Sequence, residues 1–377
     1  MSNPVDAAVQ AIGATPQAAS EGASLAPLLR LVRPHRPDAL IAPHAWDAIE
    51  VAGSSLPPTT EFGFECHFLS GGSSVDLVTR VSRTDGSASL LARRDPSSPL
   101  PKPAGADDFW PRIVELCARW CSPGTVPAFA FEALWLEYDA NDLRQMLPQP
   151  SLAFLYVAAA AQQSLNDTVA DAIARTLPML AGGPTDDRLS DTIAGCVRAL
   201  APPSALCHFG LSLARGGSEI RVCFRLQSDA LAPGLAALGL AAMTPLVADI
   251  LASVHPDCRV MLQVALTPEV SPRLGLEISA ADPVGWRSIL AFLLARNLCT
   301  QEEAASIVRW TSSPTELKGS FPWPPLGAGV LPHNPDAYAE GAAWRALSHV
   351  KLSVSMDQQM KAKVYLYAGV VWPNAIG

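Results

Sequence analysis

The sequence predicts an α+β fold, a ten-stranded antiparallel β-barrel of five hairpins surrounded by helices. Three observations carry this reading. Alternating runs recur in five pairs, and all but the last pair are followed by one or two helix-like stretches. Polar and basic side chains fall on one face of many of these runs, as in Glu219, Arg221, Cys223 and Arg225 set against Ile220, Val222, Phe224 and Leu226. The final run repeats the pattern, with Lys361, Lys363, Tyr365 and Tyr367 opposed to Ala362, Val364, Leu366 and Ala368. The same alternation fits open antiparallel sheets with helices on one side and water on the other. So many strands carry charges that closure around a wet lumen is the reading adopted, because a barrel leaves no edges to protect.

The elements follow in order. Residues 1–22 are rich in Ala, Ser, Gly and Pro and read as a flexible N-terminal arm, leaving 23–377 as a single barrel domain. Short helices are predicted at Leu25 to Val32, stopped by Pro34, and around His44 to Val51. The first hairpin is Glu61 to Phe68 and Val75 to Ser82, across a Ser-Gly-Gly-Ser-Ser turn. A proline-rich stretch, Asp95 to Pro103, leads into a helix from about Asp107 to Cys121. The second pair is Val126 to Asp139 and the nearly all-apolar Ser151 to Val157, whose strand phase the periodicity leaves open. Helices at Asp167 to Leu180 and Asp187 to Leu200 precede the third hairpin, Ala205 to Ala214 and Glu219 to Leu226. Its Arg-Gly-Gly-Ser connection is a strong turn signal. Helices at Leu231 to Leu240 and Pro245 to Val254 come next, then the fourth pair, Asp257 to Leu266 and Arg273 to Ser279. Pro283 to Leu298 and Gln301 to Trp310 read as helices, Ser312 to Pro335 as a long Pro/Trp/Gly-rich loop, and Ala337 to Ala346 as a last short helix. Ser348 to Asp357 and Met360 to Val370 close the chain.

Composition narrows the function. The 377 residues, 49% of them hydrophobic, bury a large core. A net charge of −8 argues against a nucleic-acid binder. Eight cysteines include no Cys-x-x-Cys pair, so neither a zinc motif nor a disulfide framework is indicated. The first residues lack a signal-peptide layout and no run approaches the roughly 20 apolar residues of a membrane span, which gives a soluble cytoplasmic protein as the expectation. Asp186-Asp187-Arg188-Leu189-Ser190-Asp191 reads as a helix N-terminus, where acids suit the dipole. No dinucleotide fingerprint, Walker loop or nucleophile elbow is present.

With the polar face inward, the lumen gathers Glu61, Glu65 and His67 from the first strand, and Asp76 and Arg80 from the second. The third and fourth pairs add His208, Arg221, Arg225, Arg259, Gln263, Arg273 and Glu277, and the fifth adds His349, Lys351, Lys363, Tyr365 and Tyr367. Seven cations would then meet a handful of carboxylates, an excess that invites an anionic ligand, since charge-assisted bonds to phosphate are strong. Arg221 and Arg225 have a plainer option, a structural network with Glu219 and Glu277. His67, His208 and His349 serve equally as polar lining, and no short His spacing marks a metal motif.

Five hairpins with intervening helices, a first-strand glutamate, a second-strand arginine and Lys/Arg/Tyr on later strands together resemble the ABBA-barrel aromatic prenyltransferases, bacterial indole branch. The resemblance implies transfer of an allylic prenyl group from its diphosphate to an indole or other aromatic acceptor in secondary metabolism. It implies Glu65 or Glu61 as the partner of the acceptor, and Arg80 and Arg221 as diphosphate ligands, with Arg225, Arg259 and Lys351 lining the same site. Lys363, Tyr365 and Tyr367 would form its closing strand. No cofactor is then required; Mg²⁺ is compatible but not implied. The partners would be a prenyl diphosphate and an aromatic small molecule or peptide, with the chain a monomer or homodimer. The chain departs from the family in lacking a Lys-x-Tyr pair on the second hairpin, in reading Arg221-Cys223-Arg225 on the third, and in holding five tyrosines altogether. Two alternatives stand beside it. One is a barrel cyclase or tailoring enzyme acting on another anionic or peptide substrate. The other is a non-catalytic binding or partner protein of a biosynthetic pathway, using Trp323 and its loop as contact surface.

Overall fold

Closure of the sheet on itself is the dominant feature of the structure, a computed structural model that describes residues 24–92, 109–125, 131–145, 148–157, 166–200, 205–213, 219–319 and 341–371. Hairpins β1 (Glu61–His67) with β2 (Val75–Ser82), β3 (Phe131–Tyr138) with β4 (Leu152–Val157), and β5 (Ala205–Ser212) with β6 (Ile220–Arg225) run in sequence. β7 (Arg259–Leu266) with β8 (Val270–Ser279) follows, and then β9 (Ser312–Gly319), β10 (Gly341–Ser355) and β11 (Met360–Val371). Each strand from β1 to β8 pairs antiparallel with the next, β8 pairs with β10, β10 with β11, and β11 returns to β1. That ring has ten strands, and β9 lies outside it on the β10 edge. The five hairpin turns therefore share one end of the barrel, while the helical connections enter and leave at the other.

Alternation divides each strand between two environments. Phe62, Phe64 and Cys66 of β1 face outward into the large core shared with the helices, as do Leu134 and Leu136 of β3, Val222 and Phe224 of β6, and Val364 and Leu366 of β11. Around them lie α1 (Ala26–Val32), α2 (Pro43–Ser55), α3 (Ser87–Ala92), α4 (Trp110–Cys121) and α5 (Asn166–Ala181). The circle is continued by α6 (Asp187–Leu200), α7 (Ser228–Ala237), α8 (Thr244–Ser253), α9 (Pro283–Ala295) and α10 (Gln301–Trp310). Phe64 is fully buried among Trp46 at 5.3 Å, Phe62 at 5.5 Å and Trp310 at 6.0 Å between ring centroids. Burying a side chain of that size contributes about 3 kcal/mol. Indole N–H groups fasten helices to the barrel: Trp120 donates to the Phe131 carbonyl at 3.1 Å and Trp310 to those of Ala346 and Tyr367 at 3.0 and 3.2 Å. α10 begins in a capping box, where the Thr300 side chain accepts from the Glu303 N–H while Glu303 accepts from the Thr300 N–H. The second Glu303 oxygen accepts from Leu69 N–H at 2.8 Å and so holds the β1–β2 turn.

Two expectations are corrected. Residues 312–319 form β9 rather than the start of a loop, and residues from Gly341 onward form β10 rather than a helix. Both corrections have one cause. Ala342 and Ala343 pair with β9 on one side and with β11 on the other, so a sheet satisfies backbone groups that a short Ala-rich helix would leave open at its ends. Helix α3 was not anticipated; Asp85 accepts from the N–H and hydroxyl of Ser87 at its start. The N-terminal arm and Trp323 lie outside the described residues. Among the described residues no helix is long and apolar enough to cross a membrane.

Candidate functional site

The inner face is lined by a second, small apolar group: Val78, Ala133, Trp135, Leu152 and Phe154, with Tyr156 and Tyr367 packed against it. Two inward glycines seat its rings. A Cβ on Gly63 would come within 2.2 Å of the Tyr367 ring, and one on Gly210 within 2.4 Å of the Phe154 ring. Tyr367 stacks on Trp135 at 4.7 Å, Tyr156 on His208 at 4.7 Å, and Tyr365 on His349 at 4.1 Å. The second hairpin, whose phase was open in the sequence, thus turns Trp135, Glu137, Phe154 and Tyr156 inward. These rings supply the aromatic lining that five tyrosines alone leave thin.

Two β-bulges re-aim histidines into the lumen. In β5, Leu206 pairs with the outward Phe224, the ladder slips by one residue, and His208 then pairs with Cys223. In β10, Leu347 pairs with the outward Leu366, Ser348 is the extra residue, and His349 then pairs with Tyr365. Strict alternation would place Leu206 with His208, and Leu347 with His349, on one face; the bulges separate them.

Charged groups cluster toward the hairpin end. Lys363 donates to Glu65, and His67 Nε2 lies 3.1 Å from Asp76 and 3.4 Å from Glu65. Although burial opposes ionisation, Lys363, His67 and Lys351 hold the Glu65 carboxyl well below the usual carboxylate range. The hydrogen bond with Asp76, followed by that with Glu65, raises His67 to about 9, so it is protonated at neutral pH. Arg221 donates to Glu219 at 2.9 Å. Glu277 accepts from Gln263 at 3.1 Å, and chiefly His208, together with Lys351, holds its carboxyl well below the usual carboxylate range against the opposing effect of burial. His349 itself is pushed down to about 4 by burial and is neutral. Glu137 differs from both: burial, then the Glu65 charge, pushes its carboxyl up to about 8. The sequence reading did not select Glu137.

The expected excess of seven cations does not assemble. Arg225 and Arg259 reach the rim at the helix end and are exposed, and Arg273 is exposed as well. Arg80 faces Glu61 and Asp85, each at 3.6 Å, toward that same end, and burial raises the Glu61 carboxyl there. Arg221, Lys351 and Lys363 remain in the inner cluster with Glu65, Asp76, Glu137 and Glu277. Lys351 stands apart from the other two. It is 6% exposed and donates no hydrogen bond among the described residues, and burial, then repulsion by Arg221, lowers its ammonium below the ordinary range. The lumen is also fuller than a ten-stranded ring requires: between Val78, Trp135, Glu137, Phe154, Tyr156, His208, Glu277, His349, Tyr365 and Tyr367 the cavity measures about 20 Å³, room for about one water.

No family model matches the chain, and no curated protein matches it. Among solved structures it is similar to 5-dimethylallyltryptophan synthase from Streptomyces coelicolor, with 12% identity and a TM-score of 0.45 over 94% of this chain and 99% of that one. It is also similar to a 6-dimethylallyl tryptophan synthase, with 11% identity and a TM-score of 0.46 over 90% of this chain and 94% of that one.

Proposed function

We propose that the barrel is an aromatic prenyltransferase that takes an allylic diphosphate and an aromatic acceptor. The observation that carries this reading is Lys351, a buried cation with no hydrogen-bonded partner among the described residues, set beside Arg221 and Lys363 and below a wall of aromatic rings. Glu277 and Glu65 answer that charge electrostatically, yet neither accepts a hydrogen bond from it among the described residues, so its N–H donors are left for an anion. A diphosphate would accept from them, and the rings of Trp135, Tyr156, Tyr365 and Tyr367 suit an allylic cation through their π-faces.

In the proposed reaction the allylic C–O bond breaks, its electron pair leaves with the diphosphate, and the Arg221, Lys351 and Lys363 charges stabilise that leaving group. A ring carbon of the acceptor then bonds to the cation, and the displaced ring proton passes to a carboxylate. Glu65, held ionised by Lys363, is suited to accept the acceptor's N–H hydrogen bond but is a weak base. Glu137, at about 8, is the stronger base once ionised, so it accepts the proton in the fraction of the chain that holds it deprotonated, a fraction that grows as pH rises toward 8. Exclusion of water from the lumen protects the cation. No metal takes part in this scheme.

The small cavity favours a second reading, a non-catalytic barrel that serves a biosynthetic pathway as a binding partner, because drug-sized ligands occupy roughly 300 Å³ or more. Under the first reading the Trp135–Tyr367 and His349–Tyr365 stacks must open to admit substrate. Mass spectrometry of the purified chain with dimethylallyl or geranyl diphosphate and a panel of indoles, phenols and Trp-containing peptides separates the two. An added prenyl mass that persists in EDTA supports the transferase; unmodified acceptors throughout the panel overturn it.

A further inference from the structure

On the wall running from β5 to β8 two buried polar atoms have no hydrogen-bond partner among the described residues, His208 Nδ1 and Glu277 Oε2. Native proteins rarely leave such atoms unanswered, and an ion or a water is the usual reason when they do. The two residues belong to one cluster. One ligand atom each from His208, Cys223 and Glu277 lies within 4.8 Å of the others, and all three side chains are buried. His208 Nε2 is 3.7 Å from Glu277 Oε1, and His349 Nε2 is 4.0 Å from Glu277 Oε2. Around a tetrahedral zinc, bond lengths of about 2.0–2.3 Å place neighbouring ligand atoms roughly 3.3–3.8 Å apart, so small side-chain shifts bring the atoms of His208, Cys223 and Glu277 to that spacing, with His349 beside but outside the group.

We infer that His208, Cys223 and Glu277, with His349 next to them, form a buried site for a borderline divalent transition cation of the Zn²⁺ class. Imidazole, thiolate and carboxylate together select such a cation over Mg²⁺ or Ca²⁺, which prefer all-oxygen shells. The surroundings are those of an oriented ligand set. Gln263 donates to Glu277 at 3.1 Å, and the rings of Tyr156 and Tyr365 stack on His208 and His349 and fix their planes. Both histidines reach the cluster only through the β-bulges of β5 and β10, and bulges recur beside functional sites. His208 and Glu277, with His349 beside them, also border the lumen cavity, so the fourth position of a three-residue tetrahedral site falls to a water or to His349. Two other groupings are weaker. Glu65, His67 and Asp76 are already joined to one another and to Lys363, and Asp76, Glu137 and Asp139 offer only carboxylates.

The inference goes beyond the proposed transfer, which uses no metal, and its test contains no prenyl diphosphate, so either reading can fail alone. The full chain is freed of metal, titrated with Co²⁺ and followed by absorption, and zinc stoichiometry is measured on the chain reloaded with Zn²⁺. Expected are about one equivalent of zinc, tetrahedral Co²⁺ bands with a thiolate charge-transfer band, and a rise in melting temperature on adding Zn²⁺. Cys223→Ser should remove the charge-transfer band, and Glu277→Gln should weaken Zn²⁺ binding at least about tenfold, with folding of each variant checked by circular dichroism. A folded wild-type chain that takes up no stoichiometric metal, the orphaned atoms being answered by a water only, overturns the site. A thiolate band unchanged in Cys223→Ser overturns it as well.

Discussion

The two faces of β1 differ more than any two regions of this molecule. Outward, Phe62, Phe64 and Cys66 are fully buried against helices and aromatic rings. Inward, Glu61, Gly63, Glu65 and His67 meet an ion-pair network and a seated tyrosine. The outer face is stabilised by area removed from water, a term that tolerates little loss of volume. The inner face holds charges whose desolvation roughly cancels their attraction, so it contributes little net stability while remaining sensitive to the loss of a single partner. Stability is therefore concentrated outside the ring and chemistry inside it.

The largest effect should come from the outer face. Phe64→Ala should lower unfolding free energy by about 4 kcal/mol in urea titrations, because the Trp46 and Trp310 rings cannot collapse into the space. A loss below about 1 kcal/mol would break the contrast between the faces. On the inner face, Glu65→Gln strands Lys363 and should cost roughly 3 kcal/mol, whereas the double variant with Lys363→Met should recover most of it. If the double variant is no better than the single, the network is a net stabiliser and the comparison fails.

A smaller effect follows from proton linkage at Glu137. Its folded carboxyl, at about 8, lies above an unfolded value of about 4.3, so its favourable contribution is complete below the latter and is lost as pH rises toward the former. Glu137→Gln has no such loss. It should gain on wild type by up to about 1.4 kcal/mol per pH unit from about pH 5 to about pH 6, a window in which His67 is protonated in the native state and largely so in the unfolded one. Parallel stability curves for the two proteins would mean that Glu137 is ionised in the native state. The smallest effects belong to the rim. Arg225→Ala and Arg259→Ala, both exposed, should change stability by less than about 0.5 kcal/mol and leave diphosphate binding intact.

The barrel was legible because period-two alternation survives in β1, β2, β6 and β11, where charges and apolar residues sit side by side. The inward placement of Glu65, Lys351 and Lys363 follows from that pattern. Trp135, Glu137, Phe154 and Tyr156 were not legible, because β3 and β4 are buried at nearly every position on both faces and β4 is apolar throughout, so polar and apolar residues do not alternate to set the phase. Arg225, Arg259 and Arg273 show the opposite failure. Parity assigns a face but not a depth, and each lies too near a strand end to reach the inner cluster. The role of the bulges in presenting His208 and His349 is likewise invisible to a strict alternation, which has no means of counting an extra residue.

The central claim is that the inner face holds an anion at Lys351. Calorimetric titration of pyrophosphate into the wild-type chain and into Lys351→Met tests it most directly. Saturable one-to-one binding that Lys351→Met weakens at least about tenfold, a loss of about 1.4 kcal/mol, is the predicted result. A wild-type chain that does not bind pyrophosphate, or a variant that binds it equally well, would contradict the account.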